Sequence, residues 1–326
     1  MSNHFGLIGI GGYVAPRHLR AIKDVGGELK VALDPSDSVG VMDSYFPKTD
    51  FFTEFERFDR HVDRMRREGH QLDYISICSP NYLHDAHARF ALRCGCEAIC
   101  EKPLVLNPHN IDGLADIEQQ TGKQIHTILQ LRLHPSILAL KEKIDAAPAD
   151  TRHDVDLTYV TSRGRWYYVS WKGDDNKSGG IACNIGVHFF DMLGFVFGKT
   201  KRSVVHHRAI DCVAGVLELE KANVRWFLSI NSRDLPESVV GKQTTYRSIT
   251  IDDEELEFSG GFTDLHTASY QEILAGRGFP LSEVRPSIEL VSQVRVADIV
   301  TDDDPTHPFV EKVRKDVNRY DGRWPL

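Results

Sequence analysis

Short apolar runs alternate with longer stretches of helical period through the first part of the chain. Phe5-Gly6-Leu7-Ile8-Gly9-Ile10 reads as a buried strand, and His18 to Val25 as a helix. Leu29 to Asp34 predicts a second strand ending on an acid, and Glu54 to Glu68 a charged helix. A strand over Tyr74 to Cys78, a helix over His84 to Cys94 and a strand over Glu97 to Cys100 follow. Asn110 to Thr121 is again helical and Gln124 to Leu129 strand-like. Strands alternating with helices predict a parallel, doubly wound sheet with right-handed crossovers.

The pattern changes near residue 130. Pro135 to Ala147 is helical, Asp154 to Ser162 alternates with strand period, and Asn184 to Phe197 is a strongly apolar helix. Period-2 stretches then come in succession at Ser203–His206, Gly215–Leu219, Val224–Ile230 and Ser248–Ile251. Consecutive strands without crossover helices indicate an open, largely antiparallel sheet. Helices over Asp264 to Ala275 and Ser282 to Val300 follow, then an acidic linker at Thr301–Pro305 and a short final helix. The expected fold is α/β: a parallel-sheet domain over 1–130 and an α+β domain over 131–326.

Composition narrows this little but usefully. The chain has 326 residues, 41% hydrophobic and 26% charged, with formal charge −8. Such a balance suits two globular domains and argues against a broad nucleic-acid footprint. No apolar run approaches the roughly 20 residues of a membrane span, and the N-terminus lacks the regions of a signal peptide, so a cytosolic protein is expected. Four of the six cysteines fall between Cys78 and Cys100. Cys94-Gly95-Cys96 lacks metal-knuckle spacing, and Cys78 and Cys100 sit in buried-strand runs, so structural thiols and no metal are expected.

Candidate chemistry begins at Gly9-Ile10-Gly11-Gly12-Tyr13-Val14-Ala15, between the first strand and helix. A turn without Cβ atoms lets backbone approach a pyrophosphate, which then rests on the helix N-terminus. The third small residue falls at Ala15, with Val14 in the usual slot. Asp34 stands where an acid binds ribose hydroxyls and disfavours a 2′-phosphate, which selects NAD over NADP. Ser79-Pro80-Asn81-Tyr82-Leu83-His84 follows a strand at the ligand edge of such a sheet. There Ser79, Asn81 and His84 cap the next helix and line a nicotinamide pocket.

Glu101-Lys102-Pro103 leaves the same edge. Oxidising a secondary alcohol needs a base for the hydroxyl proton, and a desolvated Lys beside a cationic nicotinamide can serve, with Glu101 orienting or tuning it. After the Gly179-Gly180 turn, Asn184 and His188 stand one turn apart on a helix, suited to gripping adjacent sugar hydroxyls. His188 can share the proton that Lys102 handles. Arg163, Arg165, Lys172 and Lys177 lie among Trp166, Tyr167, Tyr168 and Trp171, a mixture that clamps anionic groups and stacks a base or sugar. Arg17 and Tyr13 can approach either cofactor or substrate.

Gly9-x-Gly11-Gly12, Ser79-Pro80-Asn81-x-x-His84, Glu101-Lys102-Pro103 and Gly179-Gly180 through Asn184-x-Gly186-x-His188 together resemble the Gfo/Idh/MocA oxidoreductases. The resemblance implies a Rossmann domain with NAD held by Gly9, Gly11, Gly12, Tyr13, Val14, Asp34, Ser79, Asn81, His84, Glu101 and Lys102. It further implies a second domain that often pairs sheets in dimers and tetramers, with Lys102 catalytic and His188 beside the substrate. Asn184 departs from the family's usual Asp, so the acid of a Lys-Asp-His relay is missing.

A narrower resemblance rests on Gly12–His18, Ile128–Arg132, Thr161–Tyr167, Trp171–Asp174, Arg233–Ser238 and Gly261–His266. It is to the UDP-N-acetylglucosaminuronate 3-dehydrogenases (WbpB/WlbA type) of bacterial surface-polysaccharide, or O-antigen, synthesis. It implies oxidation of the sugar C3 hydroxyl to a ketone, with substrate bound by Lys102, Arg163, Tyr167, Trp171, Lys172, Asn184 and His188. The alternatives are a free-sugar or inositol dehydrogenase, which would not need the cationic cluster, an NAD-dependent glycoside hydrolase using transient 3-oxidation, and a non-catalytic dinucleotide sensor.

Overall fold

The computed structural model describes residues 2–256, 264–301 and 305–316. Gly261 to Thr263 of one motif, and the tail from Tyr320, lie outside these. The chain divides into two compact units, Met1–Leu133 with Phe262–Ile288, and His134–Gly261 with Glu289–Leu326.

The first unit carries strands β1 (His4–Ile8), β2 (Glu28–Leu33), β3 (Asp50–Phe52), β4 (Tyr74–Ile77), β5 (Glu97–Cys100) and β6 (Ile125–Thr127). Helices α1 (Ala15–Asp24), α2 (Phe55–Arg67), α3 (His84–Arg93) and α4 (His109–Thr121) connect them. All pairs are parallel, in the order β3-β2-β1-β4-β5-β6. The order reverses between β1 and β4, and ligands of open α/β sheets bind outside the carboxyl ends of strands at such a point. The glycine turn leaves β1 there, and Ser79 follows β4. Strand β3 is too short to show in the period; its Phe52 carbonyl receives the Asp34 N–H at 3.1 Å and so ends β2 beside it.

The sequence places everything after residue 130 in a second domain, whereas the chain returns to the first unit. In that returning segment, α9 (Leu265–Leu274) packs on α1. Tyr270 and Ile273 join Phe5, Leu7, Leu19, Ile22, Ile99 and Ile128 in one buried cluster. Helical period reveals that α9 has an apolar face but not which sheet the face meets.

The second unit opens with α5 (Pro135–Ala146) and β7 (His153–Thr161). Two short helices, α6 (Trp166–Val169) and α7 (Asp175–Ser178), precede α8 (Val187–Phe197). Strands β8 (Thr200–Arg208), β9 (Cys212–Leu219), β10 (Ala222–Ser229), β11 (Thr245–Ile251) and β12 (Glu254–Glu255) complete a sheet ordered β12-β11-β7-β10-β9-β8. It is antiparallel except for β7 with β10. Helix α10 (Leu281–Val296) runs from the first unit's residues into the second's, and α11 (Pro308–Lys315) ends the described chain. Against the expectation of no span-length apolar run, the helical stretch Asp175–Phe197 is 23 residues long and its most apolar 18-residue window has mean hydropathy 1.5, yet 72% of that window is buried inside the fold. It is a core helix of the unit.

Because Tyr270 and Ile273 complete the first unit's core, a fragment ending at Leu133 should show no cooperative thermal unfolding by circular dichroism. A cooperative transition in that fragment would contradict the assigned role of α9.

Candidate active site

The glycine turn is built for close approach. Gly9 has φ +88°, and a Cβ there would stand 2.6 Å from the backbone of Cys78 and Ser79. A Cβ on Gly11 would press on the Asp34 carboxylate at 3.1 Å. The Gly11 N–H donates to Asp34 Oδ2 at 2.8 Å and the Ser36 N–H to Oδ1 at 2.9 Å. Each oxygen keeps a lone pair, so the carboxylate is fixed and still able to accept from ribose hydroxyls. Val14 stands at the start of α1, and Tyr13 is 87% exposed with the Arg17 guanidinium 5.8 Å from its ring centre. The bare turn, the helix start and the fixed acid fit a dinucleotide.

Ser79 and Asn81 are buried at the end of β4. Ser79 Oγ bonds His87 Nδ1 at 2.8 Å. His84 turns its two ring nitrogens to main-chain oxygens, Nδ1 to Pro103 at 2.7 Å and Nε2 to Ser79 at 2.8 Å. It therefore clamps the loop after β4 to the Glu101-Lys102-Pro103 turn, whose Lys102–Pro103 bond is cis. Burial lowers the His84 pKa, although both carbonyls oppose the shift. A neutral ring carries one N–H and donates to only one of these carbonyls, whereas the protonated ring donates to both.

Glu101 is buried behind Lys102, and its environment was not anticipated. Oε1 meets His18 Nε2 at 3.0 Å and His266 Nε2 at 2.9 Å, while Oε2 accepts from the Lys102 N–H at 3.2 Å. His18 Nδ1 meets Tyr270 Oη at 2.8 Å, and Tyr270 Oη meets Ser76 Oγ at 2.6 Å. Burial alone would raise the Glu101 pKa, but the hydrogen bonds from the two histidines outweigh it and hold the carboxyl well below its usual range. Burial lowers His18 in spite of Glu101. The consistent assignment is an anionic Glu101 with a neutral His18 donating from Nε2. One ligand atom from each of His18, Glu101 and His266 lies within 4.8 Å of the others, the make-up of a metal site. The hydrogen bonds account for that grouping without an ion.

Sequence patterns held a signal for this cluster. His18 falls on the buried face of α1 with Ala15, Leu19 and Ile22, Ser76 is the polar residue inside β4, and His266 and Tyr270 share one face of α9. Polar groups on apolar faces need partners.

In the second unit the expected plain helix from Asn184 begins instead as a π turn over Ala182–Gly186. Gly179 and Gly180 both have left-handed φ and re-aim the chain after α7. A Cβ on Gly186 would stand 2.7 Å from the Leu228 side chain on β10, so a bare position brings helix and sheet together. Asn184 and His188 are the half-buried residues in an otherwise buried run from Ile181 to Leu193. Such π turns recur at functional sites. Asn184 Nδ2 donates to Tyr167 Oη at 2.9 Å, which leaves the Tyr167 O–H free to donate elsewhere. Burial raises the Tyr167 pKa, with the Asn184 bond and the Arg163 charge opposing. Lys172 Nζ sits 4.1 Å from the Trp171 ring centre and 5.9 Å from that of Trp166. Arg163 and Arg165 are exposed.

The sheet order and the glycine turn with its acid define a dinucleotide-binding domain of the NAD type. The chain belongs to the Gfo/Idh/MocA oxidoreductase family: residues 3–128 match its NAD-binding Rossmann fold and residues 152–289 its C-terminal alpha/beta domain. Among solved structures, the WlbA (WbpB) dehydrogenase of Thermus thermophilus is 49% identical with TM-score 0.91. That match covers 94% of this chain and 99% of the other, which was solved with NAD and UDP-GlcNAcA. The WlbA dehydrogenase of Bordetella pertussis shares the fold at 18% identity and TM-score 0.73, over 90% of this chain and 94% of its own. Curated relatives align more briefly. D-glucoside 3-dehydrogenase of Escherichia coli (strain K12) is 28% identical over 39% of this chain and 36% of its own length. Inositol 2-dehydrogenase of Rhizobium meliloti (strain 1021) is 28% identical over 43% and 41%. The chain thus spans about two fifths of the curated relatives it matches.

Two predictions follow from the first unit. Burial pulls the His87 pKa from 6.5 to about 4, so the folded state resists protonation that the unfolded state accepts. The stability this gives is complete above pH 6.5 and is lost as pH falls toward 4, by roughly 3 kcal/mol at most. Urea midpoints should be lower at pH 5 than at pH 7; an equal or higher midpoint at pH 5 would refute it. In addition, Asp34→Asn should reduce the preference for NAD over NADP by about 10- to 100-fold in paired binding titrations, since a charged acceptor is lost. Unchanged selectivity would remove Asp34 from the ribose site.

Proposed function

We propose that the protein oxidises the C3 hydroxyl of UDP-N-acetyl-D-glucosaminuronate to the 3-keto sugar with NAD⁺. The observation that carries this is the 49% identity over 94% of the chain to a dehydrogenase solved with NAD and UDP-GlcNAcA. The residues present suit the chemistry. The turn of Gly9, Gly11 and Gly12, with Asp34, Ser79 and Asn81, would hold the dinucleotide, and His84 and Glu101 fix the loops around it. Bound NAD⁺ supplies the acceptor for the C3 hydride.

Lys102 Nζ takes the hydroxyl proton as the C–H bond gives up its electron pair, so the sugar loses one hydride and one proton. Asn184 has no acidic proton to exchange, and it binds as a hydrogen-bonding group with Tyr167. His188 is the remaining proton-handling group. Arg163, Lys172 and Lys177, with Trp171, offer cations and a ring face to the carboxylate, diphosphate and base of a nucleotide sugar. A free sugar or inositol would leave that cluster without a function. The ketone product is the electrophile that transamination to a 3-amino sugar requires, which supports a role in cytoplasmic surface-polysaccharide sugar synthesis. We further propose a dimer or tetramer, on the family's habit of pairing its open sheets.

Incubation with UDP-N-acetylglucosaminuronate and NAD⁺ should yield, by mass spectrometry, an intact nucleotide sugar short of two hydrogens. Released UDP would indicate the hydrolase instead, and turnover confined to free sugars or inositol would sink the proposal. Lys102→Ala should cut oxidation at least ~100-fold while NAD still binds by fluorescence titration. Near-normal turnover of that variant would remove Lys102 from the chemistry.

A further inference from the structure

We propose that His266 and His18 are positioning residues, which pin Glu101 through Oε1 and so fix the Glu101-Lys102-Pro103 turn in the geometry that proton transfer requires. The inference deepens the function proposed above and rests on Lys102 being the proton-transfer group.

The proton directions within the cluster follow once Glu101 is anionic and His18 neutral. Glu101 Oε1 accepts at 3.0 Å from His18 and at 2.9 Å from His266, and Oε2 accepts from the Lys102 N–H at 3.2 Å. An anionic Glu101 offers no proton, so each facing Nε2 must carry one. His18 then presents Nδ1 as a lone pair and accepts from the Tyr270 O–H, and Tyr270 in turn accepts from Ser76. Every role in the chain from Ser76 to Lys102 has one assignment, and a flipped tautomer at His18 would set a lone pair against the carboxylate.

The cluster draws on four places in the sequence: α1, β4, the turn after β5 and the returning helix α9. Ser76, His18, His266, Tyr270 and Glu101 are all buried, and the His18 and His266 rings stand edge to face at 5.0 Å. A merely structural polar cluster would end on itself, whereas this one ends on the backbone of Lys102. Losing His266 frees one side of the carboxylate and lets the turn rotate. A displacement on the order of 1 Å costs about 100-fold in a reaction that depends on alignment.

His266→Phe should therefore lower kcat by about 10- to 100-fold, with KM for the nucleotide sugar and Kd for NAD within about threefold of wild type. His266→Gln, whose amide nitrogen can donate where Nε2 does, should recover most of the loss. Phe at or near wild-type kcat, or Gln as impaired as Phe, would overturn the proposal. Independently of turnover and substrate identity, nitrogen-15 NMR of the unmodified protein should show a proton on Nε2 of both His18 and His266. The Nδ1–H tautomer at either ring, or about one equivalent of tightly bound zinc by elemental analysis, would overturn it as well. If wild type fails to oxidise the nucleotide sugar while the tautomers are as expected, the substrate assignment has failed and the positioning array has not.

Discussion

A carboxylate buried in a protein must be met by donors, and that constraint at Glu101 organises the first unit. Satisfying it takes two histidines and a backbone amide, and orienting one of those histidines takes a tyrosine and a serine. Two of these groups, His266 and Tyr270, lie far along the chain on α9, which is also the helix that completes the core with Ile273. Core packing and polar satisfaction thus call for the same segment to return to the first sheet. Glu101 immediately precedes Lys102, so the positions of the returning helix and of the lysine are set together.

The same economy holds at the sheet edge. Gly9 lets β1 turn against Cys78 and Ser79 at a spacing no side chain would permit, and Gly11 ties the turn to Asp34. His84 joins the loop after β4 to the carbonyl of Pro103. Each loop at the reversal point is held by a neighbour, which fixes the loops relative to one another. In the second unit, the π turn at Ala182–Gly186 and the bare position at Gly186 perform the corresponding task for Asn184 and His188.

Much of this was legible in the sequence. The alternation of Phe5–Ile10, Leu29–Asp34, Tyr74–Cys78 and Glu97–Cys100 with helices foretold the parallel sheet, because doubly buried strands read as continuous apolar runs. The glycine turn, Asp34 and Lys102 stood out because their chemistry needs particular residue types at strand ends. What escaped notice had physical causes. Strand β3 is three residues long and too short for a period. The π turn depends on local hydrogen bonding that a helical pattern does not encode. The return of α9 is a choice between two apolar faces, settled by the partner rather than by the helix itself. His18 and His266 enter the sequence reading only as the ends of two motifs, and only their shared partner, distant in sequence, gives them a role. The proposed oxidation of a UDP-sugar at C3 rests on resemblance, since the cationic and aromatic residues from Arg163 to Lys177 suit an anionic, stackable ligand but no single sugar.

The most direct measurement of the central claim is isotopic. Nucleotide sugar carrying deuterium at C3 of the N-acetylglucosaminuronate ring would be incubated with the enzyme and NAD⁺, and the reduced cofactor analysed by mass spectrometry. Direct transfer from C3 predicts reduced cofactor carrying the deuterium and a keto sugar without it. Unlabelled reduced cofactor, or a product that keeps the C3 label, would contradict the account.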